Sequence, residues 1–135
     1  MIWYIYIEVI INERICSLLS QVCEDVFYVH KPDGYEVDKY MTFNFTINGF
    51  WNSDNISEMD KYYITVNFLT KNQMELNPMI EKLKSIIRNE EMCYGFQNRG
   101  TTYIKDSLEF FNASTFYMLV ENEKEVVENP IEPTE

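Results

Sequence analysis

Glycine and histidine are scarce in this sequence, and their scarcity argues against several classes of enzyme. The four glycines never form GxGxxG or GxxxxGK, so the sequence offers no backbone cradle for a nucleotide phosphate. The single histidine, His30, has no cysteine or carboxylate cluster near it at metal-ligand spacing. No serine or cysteine lies in a nucleophile-elbow or protease-like context. We therefore predict no catalytic residue, no metal site and no cofactor.

Cysteines are also few, and their spacing carries no signature. Cys16, Cys23 and Cys93 are an odd number and form no CxxC pair, which argues against a zinc knuckle and against a complete disulfide framework. Buried, apolar thiols are the ordinary state of such residues. The pattern fits a reducing compartment.

Basic residues are outnumbered two to one. Eleven lysines and arginines face 22 acids, which gives a formal net charge of −11, and a duplex-binding surface needs clustered cations to release counterions. We expect no specific nucleic-acid binding. Much of the acidity is local, since residues 121–135 contain six glutamates and one lysine. This composition predicts a disordered acidic tail over 121–135, after a single domain over 1–120.

Aromatic residues, in contrast, are abundant and make up 16% of the 135-residue chain. A core of ordinary size leaves part of this aromatic surface outside, where it can meet another chain. A base-stacking platform would need flanking lysine and arginine, whereas acids flank several of these tyrosines. The candidate subunit or partner interface consists of Trp3, Phe50, Trp51, Tyr62 and Tyr63.

The first eleven residues are apolar or aromatic except for Glu8. This run lacks a basic region and a small-residue cleavage site, and it is too short to span a bilayer. We expect it to be buried, against another subunit. Helical spacing of apolar residues predicts a helix over Ile5–Val22. Its β-branched beginning leaves one alternative open, a strand over Ile2–Ile7 before a shorter helix.

Alternating apolar residues predict the first strands of a sheet. A short β-rich run, Val26–His30, precedes a turn at Lys31–Gly34. Two longer alternating segments follow at Tyr40–Gly49 and Lys61–Leu69. They should pair antiparallel across a loop at Phe50–Asp60. Since one side of the alternation is polar, the sheet has a wet or interfacial face.

The second half of the chain is predicted to contain a capped helix and more strands. The helix covers Pro78–Asn89 with Asn77 as its N-cap. Strand-like sequence follows over Met92–Phe96, ended by Gln97–Gly100, and over Leu108–Glu121 as one long strand or a broken pair. The order α-β-β-β-α-β-β predicts an α+β fold, a two-layer sandwich whose mostly antiparallel sheet carries the helices on one face.

This order of segments resembles the tail-terminator, or tail-completion, proteins of long-tailed bacteriophages. The resemblance spans residues 5–120 and is carried by VFYVHKPDGYEVDKYMTFNF and by DKYYITVNFLTKN before the second helix. It implies a non-enzymatic ring, usually a homohexamer, that caps the tail tube and joins the tail to the head connector. The implied partners are other copies of the chain, the tail tube protein and the head connector protein, without a membrane. Assembly would take place in the bacterial cytoplasm, and DNA would pass through the ring in the virion.

A second hypothesis is a small acidic inhibitor encoded by a phage. Its carboxylates would imitate DNA phosphates and occupy a basic partner protein, and the net charge of −11 fits this idea. Against it, nearly half of the excess acid lies in residues 121–135. A mimic displays its acids along a folded face instead.

Overall fold

The computed structural model describes residues 2–47, 52–53, 56–57 and 59–121, with side chains over 9–47 and 60–120. The elements are helix α1 (Ile2–Leu19), strands β1 (Val26–Tyr28), β2 (Lys39–Ile47), β3 (Asn52–Ser53), β4 (Ile56–Ser57) and β5 (Met59–Thr70), a 3-10 turn (Gln73–Glu75), helix α2 (Leu76–Asn89), and strands β6 (Cys93–Ile104) and β7 (Glu109–Glu121). The predicted order α-β-β-β-α-β-β is therefore confirmed. One small antiparallel pair, β3 with β4, is added within the predicted loop.

The main sheet has five strands in the order β1-β2-β5-β7-β6. The predicted antiparallel pairing of the two alternating segments is confirmed, since β2 runs against β5 from Lys39 opposite Thr70 to Ile47 opposite Tyr62. Strand β7 pairs antiparallel with both β5 and β6. Only β1 lies parallel to its neighbour β2 among the described pairs of this sheet. The fold is α+β, as predicted.

Both helices lie against one face of this sheet and form the core with it. The strands contribute their alternating apolar residues, because every second side chain points to the same face. The buried core residues of the strands are Met41, Phe43, Tyr62, Ile64, Val66, Phe68, Cys93, Phe116 and Met118. Those of the helices are Ile11, Ile15, Leu18, Leu19, Leu76, Met79, Ile80, Leu83 and Ile87. The helices therefore cover a single, continuous apolar surface.

Helix α1 begins at Ile2, so the alternative of a strand over Ile2–Ile7 is wrong. The helical spacing of the later apolar residues prevails over the β-branched beginning because it brings them onto the core together. The expected burial of the first eleven residues is only partly testable, since side chains are described from Val9 onward. Ile11 is buried, whereas Val9 and Ile10 are exposed. No described helix has the length and apolar character required to cross a membrane.

Helix α2 begins two residues earlier than predicted. Its first residue is Leu76, and Glu75 occupies the N-cap position without a side-chain hydrogen bond, so the prediction of Asn77 as the N-cap is wrong. Pro78 is the third helical residue. That place suits it because the first N–H groups of a helix have no partner within the helix. Its apolar residues Met79, Ile80, Leu83 and Ile87 are buried in the core.

The capping role belongs to Asn72, at the start of the 3-10 turn that leads into α2. Its Oδ1 accepts a hydrogen bond from the backbone N–H of Met74 at 3.0 Å. Asn72→Ala should lower the free energy of unfolding by about 1 kcal/mol, since the N–H loses its acceptor. Asn77→Ala, the matched control, should change it by less than about 0.5 kcal/mol. Urea unfolding followed by circular dichroism measures both, and equal losses would contradict this assignment of the cap.

Strand β6 is longer than predicted. The Gln97–Gly100 segment was expected to end it, but the strand continues to Ile104. The pairing with β7 shifts register between Tyr94 and Gln97 and again between Asn98 and Gly100. Bulges absorb the turn-forming residues because Gly95 and Gly100 adopt positive φ angles without a steric cost. The last predicted segment is one unbroken strand, β7.

The division into a domain over 1–120 and an acidic tail over 121–135 stays a prediction. The described core residues lie between Ile11 and Met118, and β7 ends at Glu121. Residues 122–135 lie outside the described part of the chain.

Candidate assembly surface

The sheet face opposite the helices, here called the open face, has no described helix packed on it. Side chains of β5 and β7 alternate onto it with the core residues, in a register fixed by antiparallel pairing. The described open-face residues of these two strands are Lys61, Tyr63, Thr65, Asn67 and Leu69 on β5 and Glu109, Phe111, Ala113, Thr115, Tyr117 and Leu119 on β7. Among these side chains the one acid is Glu109, which lies at the start of β7 and is 6% exposed. The rest of this surface, from Phe111 to Leu119 and from Lys61 to Leu69, carries no acid.

Three tyrosines and two cations form one cluster at the end of the open face where β7 finishes. We call Lys61, Tyr63, Tyr94, Arg99 and Tyr117 the tyrosine cluster. The Tyr117 ring lies 5.0 Å from that of Tyr63 and 5.3 Å from that of Tyr94, the latter pair stacked. The Lys61 ammonium sits 4.5 Å from the centroid of the Tyr117 ring, within range of a cation–π interaction.

Arg99 completes the cluster from the edge strand β6. Its Nη2 donates a hydrogen bond to the Tyr63 hydroxyl at 2.9 Å. A hydrogen bond from the Thr115 side chain, followed by that from Arg99, lowers the pKa of Tyr63 below its ordinary value. Tyr94 remains 43% exposed. The cluster thus combines flat aromatic area with positive charge, a surface suited to acidic and apolar groups of another segment.

The sequence-predicted interface residues lie in different environments. Trp3 belongs to α1, but its side chain lies outside the described ones, as Phe50 and Trp51 do altogether. Tyr63 is partly exposed in the tyrosine cluster. Tyr62 is only 1% exposed, and its ring packs against Phe45 with centroids 5.7 Å apart. Tyr62 therefore serves the core of this chain, because neighbouring residues of a strand point to opposite faces.

The structure adds Tyr94, Tyr117 and the two cations, which the sequence did not nominate. Tyr94, Arg99 and Tyr117 come from the β6–β7 hairpin, whereas Lys61 comes from β5, which helix α2 separates from that hairpin in the chain. The pairing of β7 with β5 brings them together. The sequence did contain one indication of this, the alternation in β7. It places Tyr117 on the face of the sheet away from its neighbours Phe116 and Met118, which belong to the core. That the five residues named from the sequence form a subunit or partner interface stays a prediction.

Gly95 holds the geometry of the cluster. Its φ is +73°, and an added Cβ would lie 3.0 Å from Cδ2 of the Tyr117 ring. Gly95→Ala should lower the free energy of unfolding by about 2 kcal/mol through backbone strain and this contact. Gly34→Ala is the control, since Gly34 has a φ of +83° with nothing within 4 Å of its Cβ position. It should cost about 1 kcal/mol from strain alone. Thermal and urea unfolding give the difference, and a larger loss at Gly34 would contradict the ring contact.

The two lateral edges of the sheet differ in chemistry. Edge strand β6 lies beside the cationic cluster, whereas the β1 edge is apolar and followed by Val29, a β-branched residue 51% exposed at a φ of 73°. The backbone N–H of His30 donates to the Tyr28 carbonyl at 2.8 Å across this tight turn. The segments that flank β1 carry the exposed acids Glu24, Asp33, Glu36 and Asp38. The chain therefore presents two dissimilar edges.

A shallow depression lies at the tip of the β6–β7 hairpin. It has a volume of about 520 Å³ and is lined by Lys71, Tyr103, Leu108 and Phe110. Leu108 is 62% exposed and adopts a positive φ of 58°, which is a costly position for a large side chain.

The described titratable residues form no recognisable reactive centre. His30 is exposed, and its ring Nδ1 lies 3.2 Å from the Lys31 carbonyl oxygen. The described part of the chain contains no group of three histidines, cysteines or acids placed to hold a metal ion. The three thiols are free, and burial raises the pKa of each above its ordinary value.

The buried thiol of Cys93 makes the free energy of unfolding depend on pH in the alkaline range. Burial, with Glu90 nearby, raises the pKa of its thiol from 9.0 to about 11. Since the unfolded thiol loses its proton at lower pH than the folded one, the stabilisation is complete below pH 9 and is lost as pH rises towards 11. The free energy of unfolding of Cys93→Ala should therefore fall less over this interval than that of the unmodified chain. Urea unfolding of both proteins at pH 9 and at pH 11 measures this loss of free energy. Equal losses in the two proteins would contradict the role given to the Cys93 thiol.

No protein-family model matches the chain, and no curated protein matches it. Solved structures do match at the level of the fold. One is a chain of the virion of native gene transfer agent (GTA) particle, which aligns with a TM-score of 0.52 at 9% sequence identity. The alignment covers 77% of this chain and 84% of that chain. The two chains share a fold.

Proposed function

We propose that this protein is a structural component of a phage-like virion, where it forms a ring that caps the tail tube and joins the tail to the head connector. The observation that carries the proposal is the shared fold with a chain of a gene transfer agent virion over most of both chains. The resemblance in segment order to phage tail terminators supports the same role. The protein acts by assembly, without a catalytic residue or a cofactor.

The dissimilar sheet edges support assembly into a ring. A head-to-tail contact requires two different surfaces on each copy, and it closes into a ring when the rotation between copies permits. The β6 edge offers Arg99 beside aromatic rings. The β1 edge offers exposed Tyr28 and Val29 together with several acids. One edge of a copy therefore complements the other edge of the next in charge and in apolar character.

The negative net charge suits a ring through which DNA passes. Acidic groups on an inner wall repel phosphates and reduce sticking. The partners under this proposal are further copies of the chain, the tail tube protein and the head connector protein, and the site of action is the tail or neck of the virion. Reversing the charge of wall acids should then slow DNA ejection.

The mass in solution tests the ring. Light scattering over a concentration series, with and without purified tail tubes of the same particle, should detect a species of six times the 16.2 kDa chain mass, and negative-stain microscopy should show rings. A chain that stays monomeric at every concentration and does not bind the tail tubes would contradict the proposal. Binding of such a monomer to a basic partner would favour the acidic inhibitor instead.

A matched pair of variants locates the contact. Val29→Lys places a positive charge at the β1 edge, opposite the cationic β6 edge of the next copy, and Leu108→Lys makes the same kind of change at the hairpin tip. Both residues are exposed and have positive φ angles, where lysine is no more strained than the valine or leucine it replaces, so both variants should fold. We expect Val29→Lys to abolish the ring and Leu108→Lys to retain it. The reverse result would overturn the edge-to-edge arrangement.

A further inference from the structure

The tyrosine cluster lies beside the point where the chain enters its most acidic segment. Strand β7 places Tyr117 and Leu119 on the open face and ends at Glu121. Residues 122–135, here called the acidic segment, contain five glutamates and one lysine, together with Val126, Val127 and Ile131. The segment thus brings negative charge and small apolar groups close to a cationic aromatic surface.

The charges of the two parts are complementary. At the cluster's end of the open face, the described side chains from Lys61 to Asn67 on β5 and from Ala113 to Leu119 on β7 include no acid, and the cluster carries Lys61 and Arg99. The Lys61 ammonium is held over the Tyr117 ring, at 4.5 Å, and over the Tyr94 ring, at 5.9 Å. Arg99 is held by Tyr63. Because the rings fix both cations in place, a carboxylate that approaches them meets an ordered positive surface.

The connection is short enough for the chain to reach its own cluster. Lys61 pairs with Leu119, two residues before β7 ends. An extended chain covers roughly 3.3 Å per residue, so the first glutamates after Glu121 are within reach of the cations. A tether of this length gives an effective concentration in the millimolar range, which favours the segment of the same copy over that of a second one.

We propose that the acidic segment docks on the tyrosine cluster of its own chain. Its glutamates pair with Lys61 and Arg99, and its valines cover the exposed ring of Tyr94. This docking does not depend on the ring or on a virion location, since it needs only the fold and the segment.

Photo-crosslinking in the full chain tests the docking. Benzoylphenylalanine replaces Tyr94, which is exposed on the open face, or as a control Tyr103, which is equally exposed on the same strand but points to the other face. After irradiation, mass spectrometry of the monomer band should find peptides from residues 122–135 attached at position 94 and not at position 103. Attachment only in a dimer band would assign the surface to a second copy and overturn the proposal. Absence of the segment from all crosslinks at position 94 would also overturn it.

Charge dependence provides the second measurement. Glu123→Gln, Glu125→Gln and Glu128→Gln combined leave the described core untouched, so the variant should fold. We expect the crosslink at position 94 to fall about fivefold, as loss of exposed ion pairs would produce. High salt should reduce it similarly. A yield unchanged by both would contradict the ion pairing. Ring formation by light scattering is scored separately, so either proposal can fail without the other.

Discussion

Phe116→Ala should lower the free energy of unfolding by about 3–5 kcal/mol, the usual loss when a buried phenylalanine is truncated. Phe116 is 0% exposed. It lies on β7 opposite Ile64 of β5, within the surface that the helices cover. Little else can fill the space, because three strands and two helices hold the surrounding residues in place. Since small domains are stable by only about 5–15 kcal/mol, this single substitution should remove a large share of the total free energy of unfolding.

Phe111 is the matched control for this prediction. It lies on the same strand but on the open face, where it is half-buried opposite Leu69. Phe111→Ala should cost about 1–2 kcal/mol, because less apolar area is removed from contact. Urea unfolding of both variants at one protein concentration gives the comparison. Equal losses would show that the open face is covered as tightly as the core face, which would also contradict its availability for docking.

Strand pairing and the core were largely predictable, because burial acts on a regular pattern. Alternation in β2 and β5 identified the strands, and the register joins Met41 to Phe68 and Phe43 to Val66 as one apolar surface. The helical spacing of α2 was equally clear. The same pattern separates Tyr62 from Tyr63, because Tyr62 alternates with the core residues Ile64 and Val66. Nominating both as interface residues neglected this parity.

The errors at element ends have a common physical cause. Asn77 and the Gln97–Gly100 segment are made of residues that often cap or end an element, but those residue types also occur at bulges and within the first turn of a helix. The structure decides between these uses by long-range pairing. Strand β6 continues through its bulges because β7 supplies hydrogen-bond partners on both sides of them. Local sequence contains no information about that partner.

The tyrosine cluster was unpredictable for a related reason. Tyr94 and Tyr117 come from consecutive strands, but Tyr63 comes from β5, which precedes α2 in the chain and lies beside β7 in the sheet. The sequence showed an excess of aromatic residues and an acidic segment, but it could not show that two of its few cations lie together beside three rings. The composition indicated that a surface for assembly exists. The order of the strands in the sheet determines which residues form it.

Asn112→Ala should be the second most damaging change, at about 2–3 kcal/mol, because it breaks a polar network at the border of the core. Asn112 is 1% exposed on the helix-covered face. Its Oδ1 accepts from Asn98 Nδ2 at 2.7 Å, and its own Nδ2 donates to the Thr101 hydroxyl at 2.9 Å and to Asn98 Oδ1 at 3.2 Å. The Ser114 hydroxyl, fully buried, also donates to Asn112 Oδ1 at 3.4 Å. Truncation leaves that hydroxyl without this acceptor.

A double-mutant cycle with Asn98 separates the network from simple loss of volume. Asn98→Ala should cost about 1–2 kcal/mol, since it deprives buried Asn112 of one partner while Thr101 and Ser114 remain. The double variant should cost about 1 kcal/mol less than the sum of the single losses, because the second truncation removes a group whose partner is already gone. Gln97→Ala, exposed and adjacent, should be neutral within about 0.5 kcal/mol. Strict additivity of Asn98 and Asn112 would mean that the two amides stabilise β6 and β7 independently, and the bulged edge strand would then depend on backbone pairing alone.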